Sequence, residues 1–232
     1  MAKAPRTGLV KTRLSPPLSA EEATRMSAAF LRDITENIRL AAQQADIAGY
    51  VAYAPAGMEG LFDGMLADGT GLVLADGDAT MPDSVQGFGR SLLHATQALF
   101  ARGHGAVCLV NSDGPTLPTA RLVEAARALA EPGARGVLGP AEDGGYYLIG
   151  QQAAHPALYA GIDWSTKRVA AQTRQAAAGL GLPLHELPPW YDVDDRAALV
   201  RLLRDLDAGG GWRPQATAAL VAALGLRERL AG

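Results

Sequence analysis

Short apolar runs alternate with amphipathic helical stretches along this chain, and that alternation is its strongest constraint on fold. Ile47 to Ala54, Gly71 to Ala75, Ala106 to Val110, Gly136 to Gly139 and Leu184 to Leu187 read as buried strands. Ser19 followed by Glu22 forms a capping box, and Met26, Phe30, Ile34 and Ile38 then place an apolar stripe on a helix running to about Ala45. Further helices read over Gly89 to Arg102, from Pro118 to Ala130, after a cap at Ser165 for about fifteen residues, and through Leu206 after the lead-in Tyr191 to Asp195. Gly57 to Leu66 reads as one or two helical turns. Strands separated by helices of this length build βαβ units, so the expected fold class is α/β with a mostly parallel central sheet covered on both faces.

The length of 232 residues suits one large domain, and residues 1–232 read as a single unit. Ala208 to Gly211 reads as a hinge before an Ala-rich helix from Pro214, which makes 208–232 a C-terminal helical extension.

In such sheets ligands bind beyond the carboxyl ends of the strands, so the polar loops there are the first candidates for a site. The most distinctive is Pro5 to Arg13. From Met1 to Arg13 there are four basic residues, Lys3, Arg6, Lys11 and Arg13, and no acidic one, on a chain with 21 Lys and Arg against 24 Asp and Glu. A turn at Gly8 can present backbone N–H groups to an anion, while Arg6, Arg13 and the Lys11 ammonium neutralise phosphate oxygens. Pro5, Arg6, Gly8, Lys11 and Arg13 are therefore candidate nucleotide-binding residues, against the alternative of a solvated basic tail. The segment is neither a Walker A loop nor a Gly-x-Gly-x-x-Gly fingerprint.

Three acidic loops stand beside it. Asp113, after the strand ending at Val110, is placed to hold Mg²⁺ or Mn²⁺ through oxygen ligands; the alternative is an Asp-Gly turn. Glu142 and Asp143, followed by Gly144 and Gly145, suit a general base or an acceptor-hydroxyl ligand, or else close a hairpin. Asp192 and Asp194, spaced by two on an extended segment, share a direction and are candidate metal ligands, although Asp194 or Asp195 also suits a helix cap. Trp164 either packs structurally or walls an acceptor pocket.

Composition closes other routes. The net charge of −3 lacks the positive field of a nucleic-acid binder. No apolar stretch reaches a membrane span, no signal-peptide core is evident, and a lone cysteine, Cys108, excludes an intramolecular disulfide, so the cytoplasm is the expected compartment. Cys108 reads as an inert buried thiol. The four histidines have no ligand spacing for zinc.

Taken together, Ala2-Lys3-Ala4-Pro5, Gly8 to Leu14, Asp113 to Leu117, Gly139 to Gly150, Trp164-Ser165-Thr166 and Tyr191 to Asp194 resemble a bacterial family of GT-A-fold, nucleotide-diphospho-sugar-transferase-like proteins, the radical-SAM/selenodomain-associated transferase 1 or arsenosugar biosynthesis glycosyltransferase family. The resemblance spans nearly the whole chain. It implies a three-layer α/β/α sandwich of GT-A type, an activated-nucleotide donor and a divalent metal near Asp113.

Three functions fit these residues, in this order. The first is a glycosyltransferase moving a sugar from a nucleoside-diphosphate sugar to a small-molecule hydroxyl, with Asp143 or Glu142 at the acceptor, which Gly144, Gly145 and Trp164 would help to bind. The second is a nucleotidyltransferase that joins a nucleoside triphosphate to a phosphorylated or phosphonate acceptor and releases pyrophosphate. The third is a non-catalytic nucleotide-binding protein. The expected partners are a nucleotide or nucleotide-sugar donor and a small acceptor, with a homo-oligomer compatible and neither nucleic acid nor membrane involved.

Overall fold

The computed structural model describes residues 1–76, 81–208 and 211–231. Part of the expected hinge, residues 209–210, lies outside them. In chain order the elements are β1 (Ala2–Lys3), α1 (Ala20–Ala41), β2 (Tyr50–Ala54), β3 (Gly71–Leu74), α2 (Phe88–Ala101), β4 (Val107–Val110), α3 (Thr119–Ala130), β5 (Gly136–Pro140), β6 (Tyr146–Gln151), α4 (Val169–Gly179), β7 (Leu184–Glu186), α5 (Arg196–Ala208), α6 (Gln215–Ala223) and α7 (Leu226–Ala231).

The strands form two parts, β1-β2-β3 and β4-β6-β5-β7. The first part is parallel, and β5 pairs with β7 in parallel as well. Strand β6 is the exception, antiparallel to both β4 and β5. A hairpin causes the reversal: β5 returns directly as β6 through residues 141–145, with no crossover helix between them. The α-amino group of Met1 donates to the Val110 carbonyl at 2.7 Å, which brings β1 beside the end of β4.

Helices cover both faces. Leu31 and Ile34 of α1 and Leu122, Val123 and Leu129 of α3 pack in one core with Val137 and Leu148 of the sheet. Leu92, Leu93 and Leu99 of α2 and Ala177 of α4 pack in a second core with Val73, Leu109 and Ile149. This is the expected three-layer sandwich of GT-A type. A third core joins Met26 and Phe30 of α1 to Leu199, Leu202 and Leu206 of α5 and Val221 of α6.

Sequence signals placed most ends to within a few residues. The Ser19–Glu22 capping box forms in both directions, at 3.1 and 2.8 Å. Strand β2 starts at Tyr50 rather than Ile47, and α1 stops at Ala41 rather than near Ala45, with Gln43 to Ala45 closing turns onto Leu40 and Ala41. The expectation that Ser165 caps a helix of about fifteen residues is corrected: α4 is an 11-residue helix that begins at Val169. Ser165 instead has φ 63° inside a turn where the Thr166 hydroxyl donates to the Asp163 carbonyl at 2.7 Å, so its backbone cannot enter a helix directly.

The C-terminal extension is two helices, α6 and α7, parted at Gly225 with φ 58°. Asp33, buried in α1, receives the backbone N–H groups of Ala216 and Thr217 at 2.9 and 2.7 Å and so caps α6 from another helix. Trp212, just before α6, donates from its indole to the Pro115 carbonyl at 2.8 Å.

Candidate active site

Four segments meet at one edge of the sheet: residues 5–14 after β1, 111–117 after β4, the 141–145 hairpin, and 190–195 after β7. Backbone bonds set their spacing. Val193 N donates to Asp113 O at 2.8 Å, and Glu142 N donates to Trp190 O at 3.0 Å. Gly114 is tightly placed, because a Cβ there would stand 3.3 Å from Tyr191 O and 3.8 Å from Asp192 Oδ1. The segment 190–195 is the hub that the other loops touch.

Lys11 occupies the middle of this cluster. Its side chain is only 5% exposed, and its ammonium lies 2.9 Å from Asp113 Oδ1, 2.8 Å from Asp194 Oδ1 and 3.0 Å from the Val193 carbonyl. An ammonium has three donors, and three acceptors surround this one. Burial alone would lower its pKa, but Asp113 and Asp194 outweigh burial and hold it above the usual lysine value. The backbone of Lys11 is left-handed, φ 50°, at the entry to a 3₁₀ turn over Thr12–Leu14. That conformation turns the side chain of a surface loop inward.

Asp194 also pairs with Arg13. Burial would raise its pKa, and Lys11 and Arg13 together reverse the shift and hold it below the usual carboxylate value. Asp192 behaves in the opposite way. Burial and the neighbouring Asp113 push it up to about 7, against the opposing amide of Asn111, which donates to its Oδ1 at 2.7 Å. Asp113, Asp192 and Asp194 set three carboxylates against the two cations Lys11 and Arg13.

The rest of the basic loop is outside this cluster. Leu9 N donates to Arg6 O at 3.0 Å around Gly8 with φ 77°, a turn that favours glycine at that position. Arg6 is exposed and forms no ion pair among the described residues. Pro5 follows the buried Ala4 and leads the loop away from the sheet.

Residues 141–145 close a hairpin between β5 and β6. It is a turn, with Gly144 N to Ala141 O at 3.1 Å and Ala141 N to Gly145 O at 2.9 Å, and it also borders the hub. Asp143 is exposed and accepts the Gly145 N–H at 2.9 Å through one oxygen. The Glu142 carboxylate pairs with Arg201 of α5 at 2.6 Å, and Arg201 lies 3.8 Å over the Tyr191 ring. Gly144 has φ 94°, and a Cβ there would fall 2.3 Å from the Lys167 carbonyl, so its position is fixed by packing against the turn after Trp164. A Cβ on Gly145 would stand 3.1 Å from Asp143 Oδ1. The Trp164 ring stacks edge-on to Phe88 at 5.6 Å and lines a cavity of ≈ 340 Å³ with Gln86, Tyr159 and Asp163.

Several residues of the site had gone unnamed as functional candidates. Asn111 holds Asp192, and its position immediately after β4, two residues before Asp113, is the available signal. The Tyr191 hydroxyl donates to Asp205 at 2.5 Å and accepts from Thr116 at 3.0 Å, which ties the hub to α5. Nothing local in sequence announces that pair. Burial pushes the Cys108 thiol up to about 12, which disfavours the nucleophilic thiolate.

The sandwich, the reversed β6 and the acidic loops at the strand ends define an α/β protein of the GT-A-like class. More narrowly, a family model described as uncharacterized protein conserved in bacteria (DUF2064) matches residues 37–166, and the chain belongs to that family. A solved structure described as a "putative nucleotide-diphospho-sugar transferase" from Desulfovibrio desulfuricans G20 is similar over 99% of this chain and 95% of that one, with 26% identity and a TM-score of 0.82. No curated protein matches the chain. Among the described residues, no helix is long and apolar enough to cross a membrane.

Proposed function

We propose that this protein is a metal-dependent transferase that uses an activated nucleotide, and specifically a glycosyltransferase moving a sugar from a nucleoside-diphosphate sugar to a small-molecule hydroxyl. The observation that carries the reading is the meeting of the partly exposed Asp113 and the more enclosed Asp192 with the basic loop of Lys11 and Arg13 at one sheet edge. The likeness to the structure described as a "putative nucleotide-diphospho-sugar transferase" supports it.

The donor set suits a hard cation. Asp113 and Asp192 offer carboxylate oxygens, and a divalent ion would offset the burial and the neighbouring Asp113 charge that raise Asp192. Asp194 is committed to Lys11 and Arg13, so it positions the basic loop and joins Asp113 and Asp192 at the ion as a third carboxylate only if Lys11 turns to a phosphate. Among the described residues no group of three His, Cys, Asp or Glu side chains stands in ligand geometry, in keeping with Lys11 lying between two of the carboxylates. When bound, Mg²⁺ or Mn²⁺ would neutralise the developing diphosphate charge.

Arg6, which makes no ion pair among the described residues, and Arg13, 71% exposed, present guanidinium forks to the diphosphate, with the Gly8 turn between them and Pro5 at the base of the loop. Asp143, through its second oxygen, takes the proton of the acceptor hydroxyl as that oxygen bonds to the sugar anomeric carbon and the bond to the diphosphate breaks. The nucleoside diphosphate leaves. Glu142 holds the hairpin against α5 through Arg201, while Gly144, Gly145 and Trp164 shape the acceptor side.

Incubation with a panel of nucleotide sugars, Mn²⁺ and candidate hydroxyl acceptors tests this. Free nucleoside diphosphate, lost in Asp113→Asn, is expected. Pyrophosphate release from a nucleoside triphosphate with a phosphorylated acceptor would replace the reading with nucleotidyl transfer, and metal-dependent binding without turnover would leave a binding protein.

A further inference from the structure

Only three of the 21 Lys and Arg residues in the sequence are lysines, and two of them, Lys3 and Lys167, are exposed. The third, Lys11, is enclosed at the centre of the carboxylate cluster, its side chain 5% exposed. An ammonium is a compact point charge with all its donors on one atom, unlike the flat fork of arginine, and so it concentrates charge much as a small metal ion does. Around it stand Asp113, Asp194 and the Val193 carbonyl, at 2.9, 2.8 and 3.0 Å. These are hard oxygen donors of the kind that Mg²⁺ or Mn²⁺ takes. Asp194 has no oxygen to spare, because its second one pairs with Arg13.

The two carboxylates reach solvent, with side chains 36% and 32% exposed, while the ammonium behind them does not. A cation arriving from solvent therefore meets carboxylates that are already neutralised from within. Taking them means breaking both ion pairs of Lys11. The lysine cannot stay where it is without them, because the ring of Phe30, 5.5 Å away, offers no acceptor and an unpaired buried charge is costly. It needs another anion to turn to. A diphosphate supplies oxygen ligands for a metal ion and acceptors for the displaced ammonium in one molecule.

We propose that Lys11 is a tethered stand-in for the divalent ion, seated on Asp113 and Asp194 until a diphosphate draws it away, so that the site takes a metal–diphosphate complex and resists the free ion. The proposal rests on the transferase reading for its metal and its donor, and it adds the order in which the site accepts them. Lys11 and the ion exclude one another on the same two carboxylates. By linkage, the diphosphate strengthens metal binding by the same factor as the metal strengthens diphosphate binding. A lysine with a purely structural role would leave no such coupling.

Titration calorimetry of metal-free protein with Mn²⁺ alone tests this on the unaltered chain, Lys11→Met and Arg13→Met. Lys11→Met is expected to bind Mn²⁺ about tenfold more tightly or better, and Arg13→Met, which removes an equal charge from the exposed side of Asp194, to gain about threefold or less. Mn²⁺ should also restore most of the thermal stability that Lys11→Met loses. Equal gains in the two variants would reduce the effect to net charge and overturn the proposal.

A second measurement needs no variant, in case Lys11→Met folds poorly. Amine acylation read by mass spectrometry follows Lys11, with the exposed Lys3 and Lys167 as internal references. Lys11 should be shielded in metal-free protein, labelled much faster in saturating Mn²⁺, and shielded again when inorganic pyrophosphate is added with Mn²⁺. A Lys11 that stays shielded while Mn²⁺ is bound would overturn the proposal, because both cations would then sit in the site together. That result leaves the transferase reading intact. Absence of Mn²⁺ binding in every protein, with and without pyrophosphate, would instead remove both.

Discussion

The loop at residues 5–14 and the hairpin at 141–145 border the same hub and are built in opposite ways. The hairpin hangs from β5 and β6, strands of five and six residues, and closes on itself through backbone bonds and the fit of Gly144. The basic loop hangs from a two-residue strand and is held from outside by the ion pairs of Lys11 and Arg13. One loop is positioned by its frame and the other by charges that a ligand would also engage. A phosphate competing for Lys11 or Arg13 therefore loosens the very contacts that seat the loop, whereas the hairpin stays fixed.

Removing the central charge should break the contrast most severely. Lys11→Met takes away the cation that Asp113 and Asp194 share, leaving Asp113 unpaired and Asp194 with Arg13 alone, and a loss of about 3 kcal/mol, the low end for a broken buried pair, is expected. Thermal unfolding checks it, since that loss corresponds to a fall in Tm of roughly 6–12 °C in a chain of this size. An unchanged Tm would mean that the ion pairs do not seat the loop.

On the hairpin side the sensitive point is steric. Gly144→Ala puts a methyl 2.3 Å from the Lys167 carbonyl at a positive φ, and about 2 kcal/mol of destabilisation should follow, readable in urea titration. A neutral result would show that the Lys167 turn yields easily.

The third test is one of pH. Asp192 is raised to about 7 in the folded chain, so the folded state keeps a proton that the unfolded state has already lost. Its contribution to stability is complete below the ordinary carboxylate pKa and declines as pH rises to about 7. Asp192→Asn in metal-free protein should remove a slope of up to about 1.4 kcal/mol per pH unit between roughly pH 4 and 7. Chemical denaturation at each pH measures it, and an unaltered slope would place the titration elsewhere.

The smallest effect belongs to Glu142→Gln. It breaks a partly exposed pair with Arg201, so less than about 1 kcal/mol is expected and the hairpin should hold its place. A larger loss in thermal unfolding would mean that charge matters at the hairpin too.

Local signals carried the fold well. The Ser19–Glu22 box, the four-residue spacing from Met26 to Ile38 and the apolar runs at 107–110 and 136–140 state their structure within a few residues, because helix caps and side-chain periodicity are local physics. The reversal of β6 was half legible: Asp143-Gly144-Gly145 reads as a hairpin turn, but a hairpin there and a βαβ rule for the rest must be combined to place it. Within the candidate site, the acidic and basic loops stood out by charge. Their pairing did not, since Lys11 meets Asp113 and Asp194 across more than a hundred residues of chain and only the fold brings them together. The inward turn of Lys11 depends on a left-handed backbone that a lysine does not advertise.

The indole of Trp212, bonded to the Pro115 carbonyl two residues beyond Asp113, has an optical consequence. Trp190 lies 3.7 Å from where a Cβ of Gly114 would be, and Trp164 sits behind the hairpin turn, so all three tryptophans of the chain surround the same edge. Intrinsic emission of the unlabelled protein therefore reports almost entirely on this one region. A titration with Mn²⁺ or a nucleotide can be followed by native fluorescence alone, with single Trp→Phe replacements separating the signal of each loop.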